Sequence, residues 1–125
     1  MVQHSILIVE DDPDIRRTLE IALSQAGYKV IEAKDGREAM RLWHEHHADL
    51  VISDIHMPDK NGLEVLIEVR ALRPSTPVIV MTDGGRSEQM LLSENNAKLL
   101  GAVRVVAKPF RMEEMLATVD RELRP

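Results

Sequence analysis

Short apolar segments alternate with longer amphipathic segments along the whole chain. The apolar segments are strand-sized and rich in β-branched residues, and they lie at residues 6–9, 28–33, 50–52, 78–81 and 103–107. Near-continuous apolar runs of this length are typical of strands that are covered on both faces, as in a parallel sheet. We therefore predict five parallel strands.

The segments between these strands carry apolar residues at helical spacing. They predict helices at residues 15–26, 35–46, 62–72, 87–100 and 111–123. Gly27 follows the first of them, where a C-terminal cap belongs. Strands that alternate with helices in this way favour an α/β fold, a (βα)5 doubly wound parallel sheet with right-handed crossovers and helices on both faces.

Polar and charged residues stand at the ends of four of the predicted strands. Glu10-Asp11-Asp12 follows the first strand, Asp54 the third, Thr82 the fourth and Lys108 the fifth. In open parallel sheets the ligand sites form beyond the carboxyl ends of the strands, so these residues are expected in one pocket. Carboxylates so close together repel one another unless a cation lies between them, and oxygen ligands favour a hard ion such as Mg²⁺.

This set of residues can carry out chemistry on a phosphoryl group. The Asp54 carboxylate can act as a nucleophile toward phosphorus, because carboxylates form acyl phosphates. The Lys108 ammonium and the Thr82 hydroxyl would then neutralise and hydrogen-bond the transferred oxygens.

Composition narrows the class of protein. The chain has 125 residues, which is the size of one domain, and it contains no cysteine, so disulfides and thiolate metal sites are excluded. Its formal net charge of −5 is unfavourable for direct binding to nucleic acid. The apolar runs are too short to span a membrane, and residues 1–4 do not begin a signal peptide. We therefore expect a cytoplasmic protein.

Four motifs, in order, carry a resemblance to a known family. Residues 6–12, the string DIHMPDKNG at 54–62, residues 78–82 and Lys108-Pro109-Phe110 resemble the response-regulator receiver domains of two-component systems, including single-domain regulators of the chemotaxis type. The resemblance extends over essentially the whole chain and implies one receiver domain at residues 1–125. It also implies a flavodoxin-like sheet with the strand order 2-1-3-4-5.

The resemblance implies a role for each site residue. Asp54 would be the phosphoacceptor, Thr82 the switch hydroxyl and Lys108 the phosphate-binding lysine. Asp11 would bind Mg²⁺ directly and Glu10 mostly through water. Asp54 and the backbone carbonyl of His56 would complete the protein ligands, and the Lys108-Pro109 peptide bond is expected to be cis.

The family also implies partners for this chain. A sensor histidine kinase or a histidine phosphotransfer protein would supply the phosphoryl group, and a downstream protein would bind the switched state. The chain ends at Pro125, directly after the last predicted helix, so we expect it to act by binding proteins without an attached DNA-binding domain. A piece of a longer regulator is the alternative. Homodimerisation through the surface near the fourth helix is a further hypothesis.

Three features depart from the family pattern. Val105 stands where an aromatic residue usually swings inward after phosphorylation, and a branched aliphatic side chain lacks that motion. The spacing from Thr82 to Lys108 is 108 − 82 = 26 positions, several more than is usual, which indicates an extra helical turn or a looser loop on the usual signalling surface.

The third departure is Asp83, a carboxylate beside the phosphate path where a small residue is usual. We expect it to slow phosphorylation by anionic donors through like-charge repulsion. Asp83→Ala is therefore expected to take up phosphate from acetyl phosphate faster than the wild-type chain, and an unchanged rate would contradict this hypothesis.

Alternative interpretations stay open at this point. The chain could be a small Mg²⁺-dependent phosphohydrolase, but such enzymes place a second Asp two residues after the nucleophile, where His56 stands here. It could also be an interaction module that has lost phosphate signalling. Asp12 is expected to cap the first helix, and His44, His46 and His47 are more readily a surface cluster at a helix end than a metal site.

Overall fold

The strands and helices alternate along the chain as predicted. A computed structural model of the protein describes residues 3–55, 62–83 and 95–124. The strands are β1 (Ser5–Val9), β2 (Lys29–Ala33), β3 (Leu50–Asp54), β4 (Val78–Thr82) and β5 (Arg104–Ala107). The helices are α1 (Pro13–Gln25), α2 (Gly36–His46), α3 (Gly62–Leu72), a helical segment at residues 95–99 that we label α4, and α5 (Met112–Leu123).

The strands form one parallel sheet in the order β2-β1-β3-β4-β5. This is the flavodoxin-like α/β order that the resemblance implied, and it is confirmed. The largest difference at a strand boundary is in β3, which continues two residues beyond the apolar run because Ser53 and Asp54 pair with Val80 and Met81 of β4. Residues 87–94 of the predicted fourth helix lie outside the described residues.

Alternation along each strand divides the core between the two faces of the sheet. In β1, Leu7 and Val9 pack with α2 and α3, whereas Ile6 and Ile8 pack with α1 and α5. Each of these four side chains is at most 1% exposed. Successive side chains of a strand point to opposite faces, so a sheet covered on both sides needs the continuous apolar runs that the sequence contains. Trp43 of α2, 1% exposed, belongs to the first of these clusters.

The ends of α1 and α2 are set by local chemistry. The Asp12 side chain accepts hydrogen bonds from the backbone N–H groups of Asp14 and Ile15, and Pro13 stands in the first turn of α1. Gly27 follows α1 with φ of 98°, a left-handed conformation that glycine adopts without steric cost. The predicted N-terminal and C-terminal caps of α1 are therefore both confirmed.

None of the helices within residues 3–55, 62–83 and 95–124 combines the length and the apolar character that crossing a bilayer requires.

Candidate functional site

The carboxyl ends of β1, β3, β4 and β5 bring the predicted site residues to one edge of the sheet. Asp54 is the last residue of β3 and Thr82 the last residue of β4. Glu10 follows β1, and Lys108 follows β5 with its backbone N–H donating to the Thr82 carbonyl at 2.7 Å. Because the strands are parallel and in register, residues far apart in sequence meet here.

Three carboxylates form an acidic cluster at this edge. Glu10, Asp11 and Asp54 each offer a carboxylate oxygen, and these oxygens lie within 4.8 Å of one another. Glu10 and Asp54 are buried, at 0% and 4% exposure, while Asp11 is exposed. A cluster of hard oxygen donors with one solvent-facing member fits Mg²⁺, which binds through one or two carboxylates and retains several waters.

Lys108 contacts two of these three carboxylates. Its Nζ atom lies 2.6 Å from Glu10 Oε1 and 3.2 Å from Asp54 Oδ2. Burial acts to lower the pKa of Lys108, but its hydrogen bond to Glu10 and the charge of Asp54 raise that pKa above its usual value. The lysine therefore remains a cation beside the Asp54 carboxylate.

Glu10 is the titratable group of the cluster near neutral pH. Burial raises the pKa of Glu10 to about 7, against the hydrogen bonds that its carboxylate accepts from Lys108 and from the backbone of Asp12, and the charge of Asp54 raises it further. Burial has a larger effect on this pKa than the hydrogen bonds have, because it removes the water that stabilises the charged form of the carboxylate.

This pKa predicts how stability depends on pH in the metal-free protein. A carboxyl group whose pKa is higher in the folded than in the unfolded chain favours folding at a pH below its unfolded pKa, which is 4.5 for Glu10. That contribution to stability is lost as the pH rises to about 7. At about 1.4 kcal/mol for each unit of pKa, we expect Glu10 to lower the free energy of unfolding by roughly 2–3 kcal/mol between pH 4.5 and pH 8.

Urea denaturation in EDTA measures this effect as the difference between the wild-type chain and Glu10→Gln. The glutamine variant retains the shape of the side chain and cannot titrate, so its free energy of unfolding is expected to vary less over this pH range. Parallel pH profiles for the two proteins would contradict the prediction.

The other predicted residues have the following positions. Thr82 is fully buried, and the Lys108-Pro109 peptide bond is cis, as expected. His56 lies outside the described residues. Val105 is half-buried against the α2–α3 side of the core, and Asp83 is exposed.

The histidine cluster is not brought together as a metal site. His44, His46 and His47 are exposed at the end of α2. Among the described residues, the one group of three or more candidate ligands is Glu10, Asp11 and Asp54.

Two residues next to the site were not singled out from the sequence. Arg16 of α1 donates a hydrogen bond to the Glu10 carbonyl at 2.8 Å. Gly62, the first residue of α3, lies so close to the backbone of β3 that an added Cβ would be 2.1 Å from the Asp54 carbonyl oxygen. Of these two residues, only Gly62 could have been recognised from the sequence, since a glycine at the start of a buried helix suggests that another part of the backbone lies close to it.

Comparison with known proteins agrees with this geometry. The profile of the response regulator receiver domain family matches residues 6–120. The regulatory protein AtoC of Escherichia coli (strain K12) is 37% identical over 118 residues, which are 94% of this chain and 25% of AtoC. The uncharacterized transcriptional regulatory protein YrkP of Bacillus subtilis is 38% identical over 121 residues, 97% of this chain and 50% of YrkP. This chain thus spans between a quarter and a half of these two relatives.

A solved structure has the same fold over nearly the whole chain. The Vibrio cholerae chemotaxis protein CheY4 superposes with a TM-score of 0.87 at 33% identity, covering 98% of this chain and 100% of CheY4. This chain is therefore similar both to a chemotaxis protein over that protein's whole length and to part of each of the two regulatory proteins.

Proposed function

Because the chain belongs to the response regulator receiver family, we propose that it accepts a phosphoryl group on Asp54 and that the acyl phosphate changes its binding to other proteins. Receiver domains are phosphoacceptor switches and generally bind Mg²⁺ at an acidic pocket. The observation that carries the proposal is the position of Lys108 Nζ, 3.2 Å from the carboxylate of Asp54 and within the same acidic cluster.

The positions of these side chains support a direct transfer step. An Asp54 carboxylate oxygen attacks the phosphorus of a phosphohistidine, the P–N bond breaks, and the imidazole leaves and takes up a proton. Lys108 balances the charge of the transferred oxygens, and the Thr82 hydroxyl at the end of the adjacent strand donates a hydrogen bond to one of them.

Glu10, Asp11, Asp54 and the backbone carbonyl of His56 would hold the metal ion. When bound, Mg²⁺ supplies positive charge to the phosphoryl oxygens and to the carboxylates. Glu10, whose Oε1 atom lies 2.6 Å from Lys108 Nζ, would act on the metal mainly through water.

A groove beside the site supports a protein as the phosphoryl donor. It has a volume of about 400 Å³ and runs between α1 and the residues that follow β5. Its apolar lining is formed by Ile15, Pro109, Phe110 and Met112, and Lys108 lies at its edge. We propose that a sensor histidine kinase or a histidine phosphotransfer protein docks here in the cytoplasm. Lys108 both lines the groove and lies 3.2 Å from the Asp54 carboxylate, so a protein bound in the groove can place a histidine near Asp54.

The output of the switch is a protein target. The net charge of −5 does not favour direct contact with nucleic acid by this domain, although relatives such as the NtrC of Bradyrhizobium are named DNA-binding transcriptional regulators. We also propose that the receiver domain comprises residues 1–125. A homodimer would form through the surface near α4.

Intact-mass spectrometry after incubation with acetyl phosphate tests this function. We expect a gain of one phosphoryl group that requires Mg²⁺ and is suppressed by EDTA. The same measurement with a phosphorylated histidine phosphotransfer protein as the donor tests the partner. A folded protein that binds Mg²⁺ and gains no mass from either donor would favour an interaction module that works without phosphate, and steady turnover of a phosphomonoester would favour a phosphohydrolase.

A further inference from the structure

The loop between β1 and α1 consists of three acidic residues with anchors at both ends. The Glu10 N–H donates to the Ala33 carbonyl of β2 at 3.0 Å. The Asp12 side chain accepts from the N–H of Asp14 at 2.9 Å and of Ile15 at 3.4 Å, while the Asp12 N–H donates to Glu10 Oε2 at 3.2 Å. The residues on either side of Asp11 are therefore held by hydrogen bonds.

Asp11 itself has no such anchor for its side chain. It is exposed, and its carboxylate makes no hydrogen bond or ion pair with another residue of the described segments 3–55, 62–83 and 95–124. The direction in which this carboxylate points must then follow largely from the backbone on either side of it. A metal ligand is useful only when it is held near its binding geometry before the ion arrives.

The Arg16 side chain binds the backbone directly before Asp11. Its guanidinium Nη1 donates to the Glu10 carbonyl at 2.8 Å, whereas its backbone N–H makes only the usual helical hydrogen bond, to the Asp12 carbonyl at 3.0 Å. Its Nε lies 3.6 Å from Glu32 Oε1 of β2, and the Arg16 side chain is 23% exposed. The guanidinium thus connects α1 to the carboxyl ends of β1 and β2.

We propose that Arg16 is a positioning residue that holds the backbone of residues 10–12 so that Asp11 points toward the cation position of the acidic cluster. This inference rests on the proposed Mg²⁺-dependent function and assigns a role to a residue that contacts neither the metal nor the phosphoryl group. The guanidinium is suited to this role because its fixed fork of donors reaches two partners at once, whereas the ammonium of a lysine reaches one.

The charge of Arg16 and its hydrogen bonds act in opposite directions on Mg²⁺. Removing a positive charge near the cluster favours a cation, and removing the hydrogen bond to the Glu10 carbonyl frees the loop. Arg17 supplies the matched control, since it is an exposed neighbour on α1 with the same charge and has no ion pair to another described residue. The comparison of Arg16→Met with Arg17→Met therefore separates the effect of the hydrogen bond to the Glu10 carbonyl from the effect of the charge.

Two measurements test the role of Arg16. Titration calorimetry with Mg²⁺ is expected to give a Kd roughly ten times higher for Arg16→Met than for Arg17→Met, an intermediate value for Arg16→Lys, and a near-wild-type value for Glu32→Gln. Amide hydrogen exchange in EDTA is expected to be faster in Arg16→Met at Glu10 and Asp12, whose N–H groups are hydrogen-bonded in the loop, with no change in the strands.

The outcomes separate this inference from the proposed function. Equal Kd values and equal exchange rates for Arg16→Met and Arg17→Met would overturn the positioning role. Faster exchange throughout Arg16→Met would assign Arg16 to general stability instead and would also overturn it. Absence of Mg²⁺ binding by the wild-type chain would contradict the proposed function, while the exchange rates in EDTA would still decide whether Arg16 holds the loop.

Discussion

Asp54→Asn is expected to abolish phosphorylation by acetyl phosphate, with a loss of at least about 100-fold in the rate of phosphoryl uptake. The amide nitrogen and oxygen of asparagine are far weaker nucleophiles than a carboxylate, while the size and shape of the side chain are preserved. Asp54 is the last residue of β3, and its carboxylate lies 3.2 Å from Lys108 Nζ at the carboxyl edge of the sheet. Intact-mass spectrometry with Mg²⁺ measures the result.

Asp49→Asn provides the matched control. Asp49 precedes β3 and lies at the opposite edge of the sheet, where its carboxylate accepts a hydrogen bond from the Ser5 N–H. The same chemical change is therefore made outside the site, and we expect normal phosphorylation. A phosphoryl group found on Asp54→Asn at the wild-type rate would place the acceptor elsewhere and overturn the assignment.

Gly62→Ala is expected to destabilise the protein by about 3 kcal/mol, the range seen when a buried, closely packed site is overfilled. A Cβ at this position would be 2.1 Å from the Asp54 carbonyl oxygen and 2.8 Å from the Ile55 Cα. Both atoms belong to the backbone, so no change of rotamer can relieve the contact. The start of α3 must shift away from β3, which also weakens the hydrogen bond from the Gly62 N–H to the Ile55 carbonyl, 3.2 Å long.

Gly27→Ala separates this steric effect from the general effect of removing a glycine. A Cβ at Gly27 would meet nothing within 4 Å, so the variant tests only the left-handed backbone, at a cost of about 1 kcal/mol. Urea denaturation gives the free energy of unfolding of both variants. If Gly62→Ala loses no more stability than Gly27→Ala, the close approach of α3 to β3 does not constrain the protein.

The two substitutions test different parts of one arrangement. Asp54 supplies the reacting oxygen, and Gly62 allows α3 to pack directly against the strand that carries Asp54. A shift of α3 would move the backbone at Asp54 and Ile55. We therefore expect that any folded Gly62→Ala protein phosphorylates more slowly than Gly27→Ala.

The sequence alone determined the elements and the edge of the sheet where the site lies. Apolar runs of strand length that alternate with helical patterns require two covered faces, and Asp54, Thr82 and Lys108 stand one or two residues beyond the ends of those runs. The parallel sheet and the convergence of these residues follow from this periodicity. The order β2-β1-β3-β4-β5 was predicted from the family motifs, because periodicity does not specify which strands are neighbours.

The tertiary structure decided which side chains of the site touch and which are buried. Glu10 and Asp11 are adjacent acidic residues, yet Glu10 is fully buried against Lys108, 98 positions away, and Asp11 faces solvent. The contact of Arg16 with the Glu10 carbonyl depends on how α1 packs beside β1, and the constraint on Gly62 depends on the distance between α3 and β3. Side-chain direction and the spacing between elements arise from packing across the whole core, which a local pattern of residues does not contain.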